Sequence, residues 1–162
     1  MKIKNIISGM ILVVLFLMSR TVFASEEYNI TFKNSSSNPM LISYMSESCV
    51  PTTDKDKIDI DPNSQSTITI QDKNSLGCFL AEKRITWSVP INDSKVCTLD
   101  FIVRLIWEGT GVTWYYEVRE DSTCPGMVKD ARCGDNIQYN YCKNNPVPTY
   151  YTLGKKNIVI NL

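Results

Sequence analysis

Apolar and polar residues alternate along most of this chain, with a period of two. Tyr28, Ile30 and Phe32 are interleaved with Asn29, Thr31 and Lys33, the pattern of a half-buried β-strand. The run Asn34-Ser35-Ser36-Ser37-Asn38-Pro39 that follows has turn chemistry. Met40 to Met45 forms a second strand, and Ile58 and Ile60 mark a short third one. Asp61-Pro62-Asn63-Ser64 is another turn, with proline fixing φ at its first central position. Thr67-Ile68-Thr69-Ile70 is β-branched throughout and is read as strand. Arg84 to Val89 carries Trp87 in a further strand.

The clearest element is a long hairpin. Cys97, Leu99, Phe101, Val103 and Leu105 fall on one face, and Thr98, Asp100, Ile102 and Arg104 on the other. Glu108-Gly109-Thr110-Gly111 reverses the chain. Val112, Trp114, Tyr116 and Val118 then alternate with Thr113, Tyr115, Glu117 and Arg119. This pair is expected at the centre of a sheet. Ile137 to Tyr141 and Asn157 to Asn161 bring the expected set to eight or nine strands. No segment has the period of an amphipathic helix. The pattern predicts an all-β fold, an antiparallel two-layer β-sandwich or a small barrel. Asp121 to Asn136, with Cys124, Pro125, Gly126, Cys133 and Gly134, is expected to be an irregular loop held by disulfides. Lys143 to Gly154, with Pro146 and Pro148, is expected to be a second long loop.

The N-terminus departs from this alternation. Lys2 and Lys4 precede a largely apolar run from Ile6 to Met18, and Val22-Phe23-Ala24 offers small residues for a signal peptidase. The run is roughly 13 residues, whereas a spanning helix needs about 20, and Arg20 interrupts any extension. Residues 1–24 are therefore read as a cleavable signal peptide and residues 25–162 as one domain, secreted or periplasmic. Such a leader suits a bacterial exporter. Its loss removes Lys2, Lys4 and Arg20 from a chain with 17 basic and 17 acidic residues, leaving the mature protein mildly acidic. With its basic residues scattered, it has no pull toward nucleic acid, and no stable membrane insertion is expected.

Export changes how the six cysteines are read. An even count behind a leader implies a disulfide framework. Cys49, Cys78, Cys97, Cys124, Cys133 and Cys142 can pair in many ways, and the sequence does not choose among them. The arrangement favoured here joins Cys133 to Cys142 locally and Cys49 to Cys78 over a longer loop, leaving Cys97 with Cys124. A zinc cluster is disfavoured, because no C-x-x-C occurs and the chain has no histidine.

The missing histidine also removes whole classes of chemistry. No Ser-His-Asp or Cys-His nucleophile can be assembled, and imidazole acid–base catalysis is unavailable. A glycoside-cleaving carboxylate pair needs no histidine. Asp100, Glu108, Glu117, Glu120 and Asp121 lie on or near the hairpin and are the acids such an enzyme would draw on. Ordinary surface charge is the simpler reading of them, and no catalytic residue is assigned. Asp54, Asp56, Asp59 and Asp61 form an acidic stretch that could offer oxygens to calcium. The EF-hand pattern fails there, with Asp59 in place of glycine and Gln65 in place of the bidentate glutamate. A charged loop is preferred, and no cofactor or metal is expected.

Aromatic residues carry the functional expectation. Trp87, Trp114, Tyr116 and Tyr139 are read as core. Tyr115 shares a strand face with Thr113, Glu117 and Arg119 and is expected outside. Trp107 stands at the mouth of the glycine turn, and Tyr150 and Tyr151 lie beyond the prolines. Amphipathic rings at a surface bury large areas at small entropic cost. Trp107, Tyr115, Tyr150 and Tyr151 are the binding candidates. Ile30 to Ser36 and Asn63 to Ile70 resemble the opening strands of thaumatin-like and aegerolysin sandwiches over about 40 residues of generic strand and turn chemistry. The cysteines and acidic cleft of thaumatin-like proteins are not matched, so no residue role is carried over. The expectation is a non-catalytic binding protein with a protein or glycan partner. The alternatives are a carboxylate-pair glycan-cleaving enzyme and a structural or inhibitor-type envelope or effector protein.

Overall fold

The computed structural model describes residues 26–50, 56–73, 75, 77–92, 95–109, 111–134, 139–148 and 156–162. These residues form strands and connections, with no helix among them. The strands are β1 (Glu27–Lys33), β2 (Met40–Ser48), β3 (Lys57–Ile60), β4 (Gln65–Gln71), β5 (Lys83–Asn92) and β6 (Lys95–Glu108). They continue with β7 (Gly111–Glu120), β8 (Asp130–Gly134), β9 (Tyr139–Tyr141), β10 (Val147–Pro148) and β11 (Lys156–Asn161). One sheet has the order β4-β1-β11-β8-β9 and the other β10-β7-β6-β5-β2-β3. The protein is a two-layer sandwich, as the alternation predicts.

Two strands were not anticipated. β8 falls in the stretch expected to be irregular, and β10 in the proline-bearing loop. Ala131 and Cys133 alternate with Asp130, Arg132 and Gly134 and face inward, but two small apolar residues make a faint signal. The pairing also differs at one place. β1 and β11 run parallel from Tyr28↔Lys156 to Lys33↔Asn161, and the other ladders between strands are antiparallel. Parallel neighbours need a long crossover, and here that crossover is the rest of the domain.

The core lies between the sheets and takes its residues from alternate positions. Ile30, Phe32, Ile158 and Ile160 from one sheet meet Ile42, Ile85, Trp87, Leu99 and Phe101 from the other. Each fully buried side chain of this size contributes about 1.5–3 kcal/mol. Aromatic edges organise the layer. Phe32 stands edge-on to Trp87 at 5.1 Å, and Tyr28 meets Phe101 at 5.6 Å and Tyr116 at 6.0 Å. Of the rings read as core, Trp87 and Tyr116 are buried and Trp114 is half-buried. The side chain of Tyr139 lies outside the described residues.

All six cysteines are bridged, as Cys49–Cys78, Cys97–Cys124 and Cys133–Cys142, with Cα separations of 5.3, 6.0 and 5.8 Å. These are the pairs favoured from the sequence. Three closed bridges suit an oxidising compartment. Cys97 on β6 holds the loop after β7, while Cys133 and Cys142 fasten β8 to the end of β9. There the chain crosses between layers: Val118 of β7 donates to the Cys142 carbonyl at 2.9 Å and accepts from Asn144 at 2.7 Å.

Asn34, Lys83 and Asp72 are polar side chains buried for structural reasons. Asn34, 1% exposed, donates to the carbonyls of Asn38, Ile60 and Asp61 and accepts from the backbone and hydroxyl of Ser36. It fixes the β1–β2 turn against the end of β3. Lys83 enters the inter-sheet space from β5 and bonds Asp72, just beyond β4 in the other sheet. Their side chains are 5% and 1% exposed. Asp72 also accepts from the Glu26 backbone at 2.8 Å, and the Lys83 ammonium sits 4.9 Å from the centre of the Trp114 ring. Removing one member of such a pair strands the other charge. Asp72→Ala is expected to cost about 3–5 kcal/mol in urea unfolding, and a double change of Asp72→Leu with Lys83→Met should restore most of it. Equal stability of wild type and Asp72→Ala would show that the pair does not tie the sheets.

Candidate functional site

β6 and β7 pair without interruption from Leu99↔Glu120 to Glu108↔Gly111. Gly109, at φ 58°, occupies the left-handed region that the tight reversal needs. The inner face of this hairpin changes environment along its length. Leu99, Phe101 and Val103 are buried, Leu105 is half-buried, and Trp107 is 80% exposed. On the facing strand, Val118 and Tyr116 are buried, Trp114 is half-buried and Val112 is exposed. Trp107 and Val112 are cross-strand partners. One apolar stripe thus begins in the core and ends in solvent, because the hairpin outruns the sheet that covers it.

The loop leading into β5 adds to this end of the sheet. Lys83 pairs with Val103, so the residues preceding Lys83 run toward the hairpin tip. Among them, Phe79 and Leu80 are exposed at 40% and 66%. Together with Trp107 and Val112 they make this end of the six-stranded sheet rich in exposed apolar side chains.

The outer face of the hairpin corrects one expectation. Tyr115 is 7% exposed, not an outward ring. Its neighbours across the ladder are Arg104 on β6 and Pro148 on β10, and its hydroxyl bonds the Glu108 carboxylate. Strand parity places Tyr115 on the outer face, but long neighbouring side chains cover it there. Glu117, on the same face, is held by Arg104 at 3.0 Å and Arg119 at 2.9 Å. Ile102, its cross-strand partner, is fully covered among these side chains. Tyr150 and Tyr151 lie outside the described residues.

The candidate acids are each engaged. Asp100 accepts from Thr86 at 2.7 Å and pairs with Arg84 at 3.4 Å. Glu108 is bound by Tyr115, and Glu117 by its two arginines. Glu120 accepts from the backbone of Val128 at 2.9 Å and Gly126 at 3.3 Å, and from Lys143 at 3.0 Å. Asp121 accepts from the Thr123 backbone at 2.8 Å, which holds its carboxyl below the usual value. These are bonds that order loops and strand faces. In the acidic stretch, Asp54 lies outside the described residues, and Asp56, Asp59 and Asp61 face solvent on an edge strand and its flanks. Among the described residues no three acidic, histidine or cysteine side chains gather as a metal site.

Two shallow depressions lie on the outer side of the five-stranded sheet. One, of about 340 Å³, is lined by Lys33, Asp130, Arg132, Val159 and Asn161. The other, of about 360 Å³, shares Lys33 and adds the polar residues of the two nearby turns. Arg132 is already paired with Asp130 at 2.9 Å. Neither depression offers the enclosure of an ordinary small-molecule site. No protein-family model matches the chain, and no curated protein is significantly similar to it. The fold and surface alone therefore characterise it: a disulfide-stapled β-sandwich with an exposed aromatic hairpin tip.

Burial opposes the charge of Glu120, but the bonds from Val128, Lys143 and Gly126 outweigh it and hold the carboxyl below its usual 4.5. A lowered native value stabilises the fold above the unfolded-state value and is lost as pH falls through the native one. Melting temperature should therefore drop on acidification below about 4.5. Glu120→Gln should melt lower at neutral pH and show a shallower acid limb. Parallel curves for the two proteins would remove Glu120 from this role.

Proposed function

We propose that the chain is an exported, non-catalytic binding protein that engages a protein partner through the tip of its β6–β7 hairpin. The observation that carries this reading is the exposure of Trp107 at the end of an otherwise buried stripe. Solvated tryptophan on a strand paired in unbroken register is suited to act as an anchor, since such rings dominate interface energetics when covered. Val112 lies beside it across the ladder, and Phe79 and Leu80 are exposed in the loop leading into β5 at the same end of the sheet, a set that fits a protein surface better than a sugar ring edged with hydroxyls. The absence of histidine, the bridging of every cysteine and the engagement of the hairpin acids support a non-catalytic role. The leader in residues 1–24 and the three bridges support export to the periplasm or beyond.

Exported protein should begin at Ser25 on N-terminal sequencing and contain no titratable thiol. A start at Met1 in protein recovered outside the cytoplasm would overturn the leader.

The binding test uses purified protein and a partner captured from periplasm or culture supernatant. Trp107→Ala should weaken that complex by about 2 kcal/mol, roughly thirtyfold, while its melting temperature stays at the wild-type value because the ring packs on little. Tyr150→Ala combined with Tyr151→Ala is the second arm. An affinity untouched by Trp107→Ala removes the tip as the site, and loss only with the tyrosine pair moves it to the segment around Tyr150 and Tyr151. Retention on a glycan array that depends on Trp107 would replace the protein partner by a sugar.

A further inference from the structure

A sandwich of two open sheets has four edge strands, and each exposes unpaired backbone N–H and C=O groups. Among the described residues the edges are β3 and β10 in one sheet and β4 and β9 in the other. Among the described residues, three of them are poor templates for another strand. β10 has two residues, one of them Pro148, whose nitrogen carries no hydrogen. β9 has three residues. β3 has four, and its exposed side chains are the charged Lys57 and Asp59. β4 is different. It has seven residues, pairs with β1 in unbroken register from Gln65 to Gln71, and contains no charge, proline or glycine.

The direction of its free groups can be read from the bonds at its two ends. Asp72 donates to the Glu26 carbonyl at 3.0 Å, and Asn34 donates to the Ser64 carbonyl at 2.9 Å. In an antiparallel ladder, bonded and non-bonded pairs alternate. The pairs between these ends that face each other through bonds are therefore Tyr28↔Ile70, Ile30↔Ile68 and Phe32↔Ser66. Gln65, Thr67, Thr69 and Gln71 aim their backbone groups away from β1, toward a side that among the described residues is first met beyond the strand, where Lys73 donates to the Cys49 carbonyl at 2.9 Å. The same four residues carry the exposed side chains of the strand.

Their order, Gln, Thr, Thr, Gln, reads identically in both directions about Ile68. We propose that β4 is a homodimerisation edge, pairing antiparallel with β4 of a second copy about a two-fold axis at Ile68. Gln65 then faces Gln71 of the second copy, and Thr67 faces Thr69. Each facing pair exchanges both of its backbone bonds, so every outward group of the strand is satisfied. No like charges meet at the axis. The side chains are ordered beforehand: Thr67 shares a bond with Thr31 at 2.8 Å, and Thr69 donates to Asn29 at 2.9 Å. Isologous pairing of this kind closes on itself and leaves no β4 edge to recruit further copies. This surface belongs to the sheet opposite Trp107 and does not depend on the binding role of the hairpin tip.

The test is analytical ultracentrifugation of the exported chain over a concentration series, joined to backbone amide hydrogen exchange. The expected species has twice the chain mass, and the amides of Gln65, Thr67, Thr69 and Gln71 slow as it forms. Thr69→Pro removes an outward N–H that has no bond among the described residues, and Thr67→Lys brings like charges together near the axis. Each should return the species to the chain mass with an unchanged circular dichroism spectrum. Should the proline variant fail to fold, the lysine variant decides alone. The proposal is overturned by a wild-type chain that stays monomeric at every concentration. It is equally overturned by a dimer that survives the substitutions, or by one that forms without slowing of those four amides.

Discussion

The structure depends on the contact of two inner faces across a layer of isoleucine and aromatic side chains. Strand side chains alternate strictly, so a strand has one face to bury and one to leave in water. Phe32 against Trp87, and Tyr28 against Phe101 and Tyr116, set how the sheets meet. A slip of one residue in β1 or β6 would turn those rings outward and bring Thr31 or Ile102 in. The three bridges, the Lys83–Asp72 pair and the crossing at Cys142 fasten an arrangement that apolar packing has already chosen.

Much of this was legible in the chain. Ile30, Phe32, Leu99, Phe101 and Val118 sit where period-two alternation places them, and the Gly109 turn produces the hairpin it promises. The even cysteine count announced the disulfides, and the pairs formed are those favoured, though the sequence did not choose among the pairings. What stayed hidden has definite physical causes. β8 is built on Ala131 and Cys133, too small to raise an apolar signal amid glycine and proline. The parallel pairing of β1 with β11 joins the two ends of the domain, which alternation within each strand cannot reveal. Tyr115 was misplaced because parity gives the face of a strand but not what lies over it. Arg104, Pro148 and Glu108 are distant or oppositely patterned in sequence and converge only through the ladder. Asn34 reads as one more turn residue, yet it is buried with five bonds, because the β1–β2 turn closes over the end of β3.

The candidate site has the same logic. β6 is a strand of 14 residues, while β11, in the middle of the opposing sheet, has six. The longer strand is exposed at both of its ends, at Val96 as well as at Trp107, and a six-residue strand opposite it cannot cover its whole length. The alternation of β6 does not stop where its cover does, so Leu105 and Trp107 continue the inward stripe into open space. From sequence, Trp107 continues the parity of the core positions, yet its place at the mouth of the glycine turn already set it apart as a candidate surface ring. The structure adds the reason: the inward stripe runs out of cover before it reaches the tip, and the ring is 80% exposed.

Unequal sheets also explain why the edges differ. The longer layer ends in short or charged strands, β10 and β3, and the shorter one in β9 and β4. A strand interrupted by proline, cut to two residues or studded with lysine gives another chain little to pair with. β4 lacks each of these devices. A two-stranded pairing between copies adds only backbone bonds and a narrow strip of buried side chains, and its worth is modest unless both edges match along their length. The symmetric order of Gln65, Thr67, Thr69 and Gln71 supplies that match with no further residue required. An edge that has neither charge nor proline is exposed to indiscriminate pairing. Self-pairing about Ile68 protects it by occupying it, in the way that closure protects a barrel.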